Sequence, residues 1–346
     1  MRRILTFIFI LLLIGAPVNA MDLSPPTVPR SAEEFMVQEP ENLKEGIIEI
    51  FKKAVVHFRP DLREASRVCL GIIGAVMTVS LVRTVPGGIE KTADLACTVA
   101  VSGLFLSAAG ALIDLGAETV TQVSEYGKLL LPVMTAALAA QGGITTSAAL
   151  YSGTALFDAL LCSLISSVLL PMLYLYLALS VANGAVETDM LKKFRDTVKW
   201  AMTWLLKTIL YTFTGYISIT GVVSGPTDAA ALKAAKLTIS GVVPIVGGIL
   251  SDASEAVLVS AGVVKNSIGL YGLFAVISIW LAPFLKIGAQ YLVLRLTGMI
   301  CSIFASKRIA ELIQDFASAM GFLLAMTGSV CLMLMISTVC FMRGVS

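Results

Sequence analysis

Hydrophobic and polar positions divide the chain into apolar runs separated by short charged connectors. Val68 to Val82 lies between Arg67 and Arg83, and Leu95 to Ile113 is bounded by Asp94 and Asp114. Ala155 to Ala182 carries Pro171 in its interior, and Trp200 to Val223 has Lys207 about two turns in. Ser267 to Leu294 contains Pro283 and Lys286, and Met320 to Met342 closes the series. A helix crosses a ~30 Å hydrocarbon core with about 20 apolar residues, so these runs predict about six full spans. The first is short, but its flanking arginines can snorkel to the interface.

Two other apolar stretches do not fit that template. Leu129 to Leu150, LLLPVMTAALAAQGGITTSAAL, has Pro132 early and Gly142-Gly143 in its middle. Leu237 to Leu250 has 14 residues, holds Pro244 and Gly247-Gly248, and is followed by Asp252 and Glu255. At 1.5 Å per residue it reaches only about 21 Å as a helix. Short apolar segments broken by Gly and Pro predict re-entrant hairpins or discontinuous helices. Their non-helical backbone must be buried in protein or line a wet cavity, because lipid satisfies no N–H or C=O group.

A shift of 112 residues lays Pro132 on Pro244, Pro171 on Pro283 and the run 155–182 on 267–294. This suggests a parallel internal repeat, 95–206 and 207–318, with 320–342 as a final span. Chance resemblance between apolar helices is the competing explanation. If neither broken segment crosses, the connectors with Arg83 and Lys91, with Lys192, Lys193, Arg195 and Lys199, and with Lys307 and Arg308 share one face. The positive-inside rule makes that face cytoplasmic and puts the mature N-terminus outside. The connectors 186–199 and 305–318 have amphipathic character suited to the interface.

The N-terminal region is organised differently. Arg2-Arg3, the apolar Ile4 to Ile14 and Val18-Asn19-Ala20 form the n-region, h-region and cleavage site of a signal peptide over 1–20. An uncleaved anchor is the alternative. Residues 21–40, with four prolines, read as a flexible leader. Residues 41–66 predict an extracytoplasmic amphipathic helix, with Leu43, Ile47, Phe51, Val55 and Phe58 on one side and Pro60 ending it before the membrane domain, 67–346. Lipid surface and partner protein are both open as its docking target.

Composition agrees: of 346 residues, 57% are hydrophobic and 14% charged, against about 25% charged in soluble domains. The net charge of +2 marks no partner, and no basic stripe with interleaved aromatics points to nucleic acid. Six cysteines without a C-x-x-C pair and one histidine make no metal-ligand pattern. No H-E-x-x-H, G-x-S-x-G or Walker lysine occurs, so no catalytic residue, cofactor or metal is expected. Asp252-x-x-Glu255 fits a capping box better than an ion site, although a helix N-terminus at membrane depth also attracts anions. Asp158 and Lys207 stand inside apolar runs and are candidates for an inward-facing role, while Lys286 and Arg295 are explained by snorkelling.

At Gly221 to Gly262, GVVSGPTDAAALKAAKLTISGVVPIVGGILSDASEAVLVSAG, the chain resembles the stage III sporulation protein AE family of endospore-forming bacteria, and the layout is similar throughout. The resemblance implies a multi-pass protein of the mother-cell membrane surrounding the forespore. It would act with other stage III A proteins, including a separate cytoplasmic ATPase, and with a forespore-side partner. It implies a part in a channel or secretion-like complex that keeps the forespore active after engulfment, with no family catalytic residues. A homo-oligomer is left open. An autonomous small-solute permease and an assembly scaffold without a conduit are the rival classes.

Overall fold

The computed structural model describes residues 24–36, 43–82, 90–186, 188–242 and 247–344, with side chains described except at 31, 43, 57, 59, 90, 91 and 221–258. Among them every regular element is helical. A short α1 (Arg30–Glu33) precedes α2 (Leu43–Val82) and α3 (Glu90–Ala140). Then come α4 (Ile144–Leu164), a π-helical turn (Ile165–Leu169) and α5 (Leu170–Ala185). The chain ends with α6 (Asp189–Val242), α7 (Gly247–Phe304) and α8 (Lys307–Arg343).

Five helical stretches of the described residues are long and apolar enough to cross a membrane: Pro60–Val82, Thr92–Ala140, Ile144–Ala185, Val259–Phe304 and Lys307–Arg343. Four of these hold 37 to 49 residues. The longest, at 1.5 Å per residue, measures about 74 Å, more than twice the hydrocarbon thickness. Long parts of these helices therefore tilt steeply or stand outside the lipid. The stretch Trp200–Val223, expected to span, is not among the five. It belongs to α6, whose first turns are loaded with Asp189, Lys192, Lys193, Arg195, Asp196 and Lys199.

Several expected boundaries move. Pro60 does not end a separate amphipathic helix; α2 runs through it to Val82. Residues 95–113 and 129–140 are one continuous helix, α3, bridged by Asp114 to Lys128. Pro60 and Pro132 are both exposed, so their rings find room on the outer side. The run 155–182 lies within 144–185, and its Pro171 directly follows the π-helical turn. A proline removes one i→i−4 bond, and the wider turn absorbs that loss without ending the helix. The expected interfacial connectors 186–199 and 305–318 are mostly the opening turns of α6 and α8.

Helix α8 lies at the centre, touching α3, α4, α5, α6 and α7. It runs parallel to α3: Phe105 stacks on Phe316 with ring centroids 4.1 Å apart, and Gly116 and Gly127 face Leu323 and Leu334. Those glycines sit three turns apart on one face, and a Cβ on Gly116 would meet Leu323 Cδ2 at 2.7 Å. Lipid provides no hydrophobic drive between helices, so close backbone approach through small residues supplies the packing. Helix α7 lies antiparallel to α3, with Gly272 against Leu130 and Ile287 near Gly116.

The first half of α2 docks inside the protein. Ile50 and Ala54 join Phe35, Phe274, Ile277 and Leu281 in a small cluster against α7, and Lys53 Nζ donates to the Met36 carbonyl at 3.0 Å. The face expected to dock, Ile47, Phe51 and Val55, stays exposed.

Candidate functional site

The chain does reverse at the glycines of 129–150. Gly142 N–H donates to Ala139 O at 2.9 Å and Gly143 N–H to Leu138 O at 3.1 Å, the bond pair of a Schellman C-cap. Gly142 has φ of 97°, the left-handed conformation this position requires. The arms of the hairpin are α3 and the α4–α5 stretch, far longer than a shallow dip. Pro132 lies exposed inside α3. In the second broken segment, Pro244 falls outside the described residues. Gly247 and Gly248 open α7, and Asp252 and Glu255 lie within that helix instead of at its N-cap, with side chains outside the described set.

The two inward-facing candidates diverge. Asp158 on α4 is 4% exposed, and its Oδ2 accepts from Ser124 Oγ of α3 at 2.6 Å; its Oδ1 is buried without a hydrogen-bond partner. Lys207 is exposed on α6 and faces away from the bundle, which corrects the expectation for it.

A polar seam joins α5, α6 and α8. Arg195 Nη1 donates to Asp315 Oδ2 at 2.5 Å, and Tyr176 OH donates to Asp315 Oδ1 at 3.0 Å. Arg195 Nη2 also reaches Asp196 Oδ1 at 2.9 Å, while Lys192 pairs with Glu311 at 3.3 Å one turn away. Burial works against the Arg195 charge, but Asp315, then Asp196 and Tyr176, more than offset it and hold the guanidinium above its ordinary pKa. A buried charge pair of this kind fixes the register of two helices.

A cleft of about 390 Å³ opens between α2, α3 and α7. Asp61 and Glu64 line it from α2, Asp114 and Glu118 from α3, and Lys286 and Gln290 from α7. An adjoining lobe of about 320 Å³ shares Asp61, Glu118 and Lys286 and reaches Ser278 and Pro283. Lys286 Nζ lies 3.4 Å from Asp61 Oδ1, so this lysine is paired across helices and is no lone snorkelling cation. Glu118 Oε1 accepts from Gln122 Nε2 at 2.9 Å. A carboxylate facing hydrocarbon costs on the order of 3 kcal/mol on insertion scales, so wherever this flank meets lipid its carboxylates require water or a polar partner. None of the candidate residues expected from the sequence lines the cleft: Asp158 sits between α3 and α4, and Asp114 was legible only as the end of an apolar run. The available signal was the carboxylate spacing, i,i+3 at 61 and 64 and i,i+4 at 114 and 118, which puts each pair on one helix face. No three metal-ligating side chains converge among the described residues.

A bundle of long apolar helices with a charged cleft in its flank defines an all-helical membrane protein. A family model for stage III sporulation protein AE matches residues 35–344. The chain therefore belongs to that family. The Bacillus subtilis (strain 168) protein named stage III sporulation protein AE is 24% identical over 226 residues, 65% of this chain and 56% of that relative. The match thus spans little more than half of the relative's length. No solved structure matches the fold.

Proposed function

We propose that the chain is a non-enzymatic, multi-pass subunit of a sporulation channel or secretion-like complex linking mother cell and forespore. It sits in the mother-cell membrane around the forespore, with its mature N-terminus outside the cytoplasm after signal cleavage, and is required for forespore development after engulfment. It works with other stage III A proteins and a forespore-side partner, which supply the motor and the opposite half of the passage. Family membership supports the setting. The observation that carries the conduit role is the carboxylate-lined cleft open between α2, α3 and α7. An assembly scaffold without a conduit has no use for four carboxylates held among apolar helices.

The same cleft has small-molecule volume, which favours an autonomous permease as the second reading. Purified protein in liposomes separates the two. A subunit of a larger channel gives no solute flux alone and gives flux once its partner proteins are added. Uptake by the protein alone establishes the permease and overturns the subunit reading.

A further inference from the structure

We propose that the cleft between α2, α3 and α7 binds a linear polyamine, or another compound bearing two or more ammonium groups. The proposal deepens the solute-facing reading of the cleft given above. Asp61, Glu64, Asp114 and Glu118 against Lys286 give the walls a formal charge of minus three. Lys286 is committed to Asp61, and among the described residues Glu64, Asp114 and Glu118 form no ion pair. The carboxylates come as two pairs, each about one helical turn long, on helices facing each other across the opening. Negative charge is therefore spread along the cleft and does not converge on one point, which suits an extended cation better than a compact divalent ion.

A second observation is independent of the acidic cluster. Gln290 and Ser278, 3% and 1% exposed, line the two lobes, and the Gln290 carboxamide nitrogen and Ser278 hydroxyl are buried without hydrogen-bond partners. Buried polar groups are seldom left unmatched, and an orphan at a cleft wall marks where a ligand completes the set. The carboxamide can present either its nitrogen or its oxygen by a flip, and the hydroxyl accepts as readily as it donates. Both can therefore accept from ammonium N–H groups. Methylene spacers between such groups would lie along Val68, Ala111 and Leu115.

Isothermal titration of spermidine into the full-length protein in phosphatidylcholine nanodiscs tests this, because a zwitterionic lipid adds no net charge to attract the polyamine. Saturable one-to-one binding is expected. Glu64→Gln combined with Asp114→Asn, both exposed on their helices, should weaken it about tenfold or more. Lys286→Gln should tighten it severalfold, an opposite sign that loss of structure cannot produce. Glu49→Gln, which removes one carboxylate charge from the exposed face of α2 away from the cleft, should leave it unchanged. No saturable binding, equal weakening by Glu49→Gln, or displacement of spermidine by equimolar Mg²⁺ would overturn the proposal. Binding without flux in the reconstituted complex would sink the channel reading and leave this one standing; flux without binding would do the reverse.

Discussion

Breaking the Arg195–Asp315 pair should loosen the junction of α5, α6 and α8 by a measurable amount. Both residues are buried, at 6% and 8% exposure, and Asp315 also accepts from Tyr176. Removing one partner of a buried pair costs about 3–5 kcal/mol, since it strands the other charge. Asp315→Leu falls near the lower end because Asp196, itself half exposed, still holds Arg195. About 3 kcal/mol shifts the folded-to-unfolded ratio by roughly a hundredfold. The double variant Arg195→Met/Asp315→Leu removes both charges and should recover most of that loss, as apolar replacements of buried pairs generally do. Reversible unfolding by SDS titration in mixed micelles, with all four members of the cycle, reads the coupling. Single variants that each cost under about 0.5 kcal/mol, or a double variant whose loss is the sum of the singles, would refute the assignment of this pair as a buried lock.

Tyr176→Phe should cost about 1.5–2 kcal/mol in the same titration by removing a hydrogen bond to the charged Asp315. Gly127→Leu should destabilise by about 1–3 kcal/mol, read as a lower melting temperature, because a Cβ there already meets Leu334 at 3.2 Å. Gly142→Ala should cost about 1 kcal/mol by the same measure, since φ of 97° strains any residue with a Cβ. Asp158→Asn should retain stability, its carbonyl still accepting from Ser124, whereas Asp158→Ala should lose about 1–3 kcal/mol by orphaning that hydroxyl.

The membrane class and helical content were legible in the sequence because apolar run length is set directly by bilayer thickness. The reversal at Gly142-Gly143 was legible because few residues other than glycine adopt that backbone cheaply. Helix continuity was not. Hydropathy marks where a helix is apolar and says nothing about where it ends, so Asp114 looked like a boundary although α3 continues for 26 residues to Ala140. Pro60 and Pro132 looked like breaks, yet each is tolerated on an exposed helix face. The cleft escaped for a different reason: Asp61 and Lys286 meet across 225 residues of chain, and no local spacing encodes such a pair. Taken singly, Lys286 has a sufficient local explanation in snorkelling.

The central claim is that the cleft is a wet part of the passage, and site-directed plugging in sporulating cells tests it most directly. Ala111→Cys, on the cleft wall, in a background with the six native cysteines replaced, should react with a membrane-impermeant maleimide. A bulky adduct there should abolish forespore gene expression, while the same adduct at Leu160→Cys, on the exposed apolar face of α4, should not. Efficient labelling at Ala111→Cys with forespore gene expression intact would contradict the account.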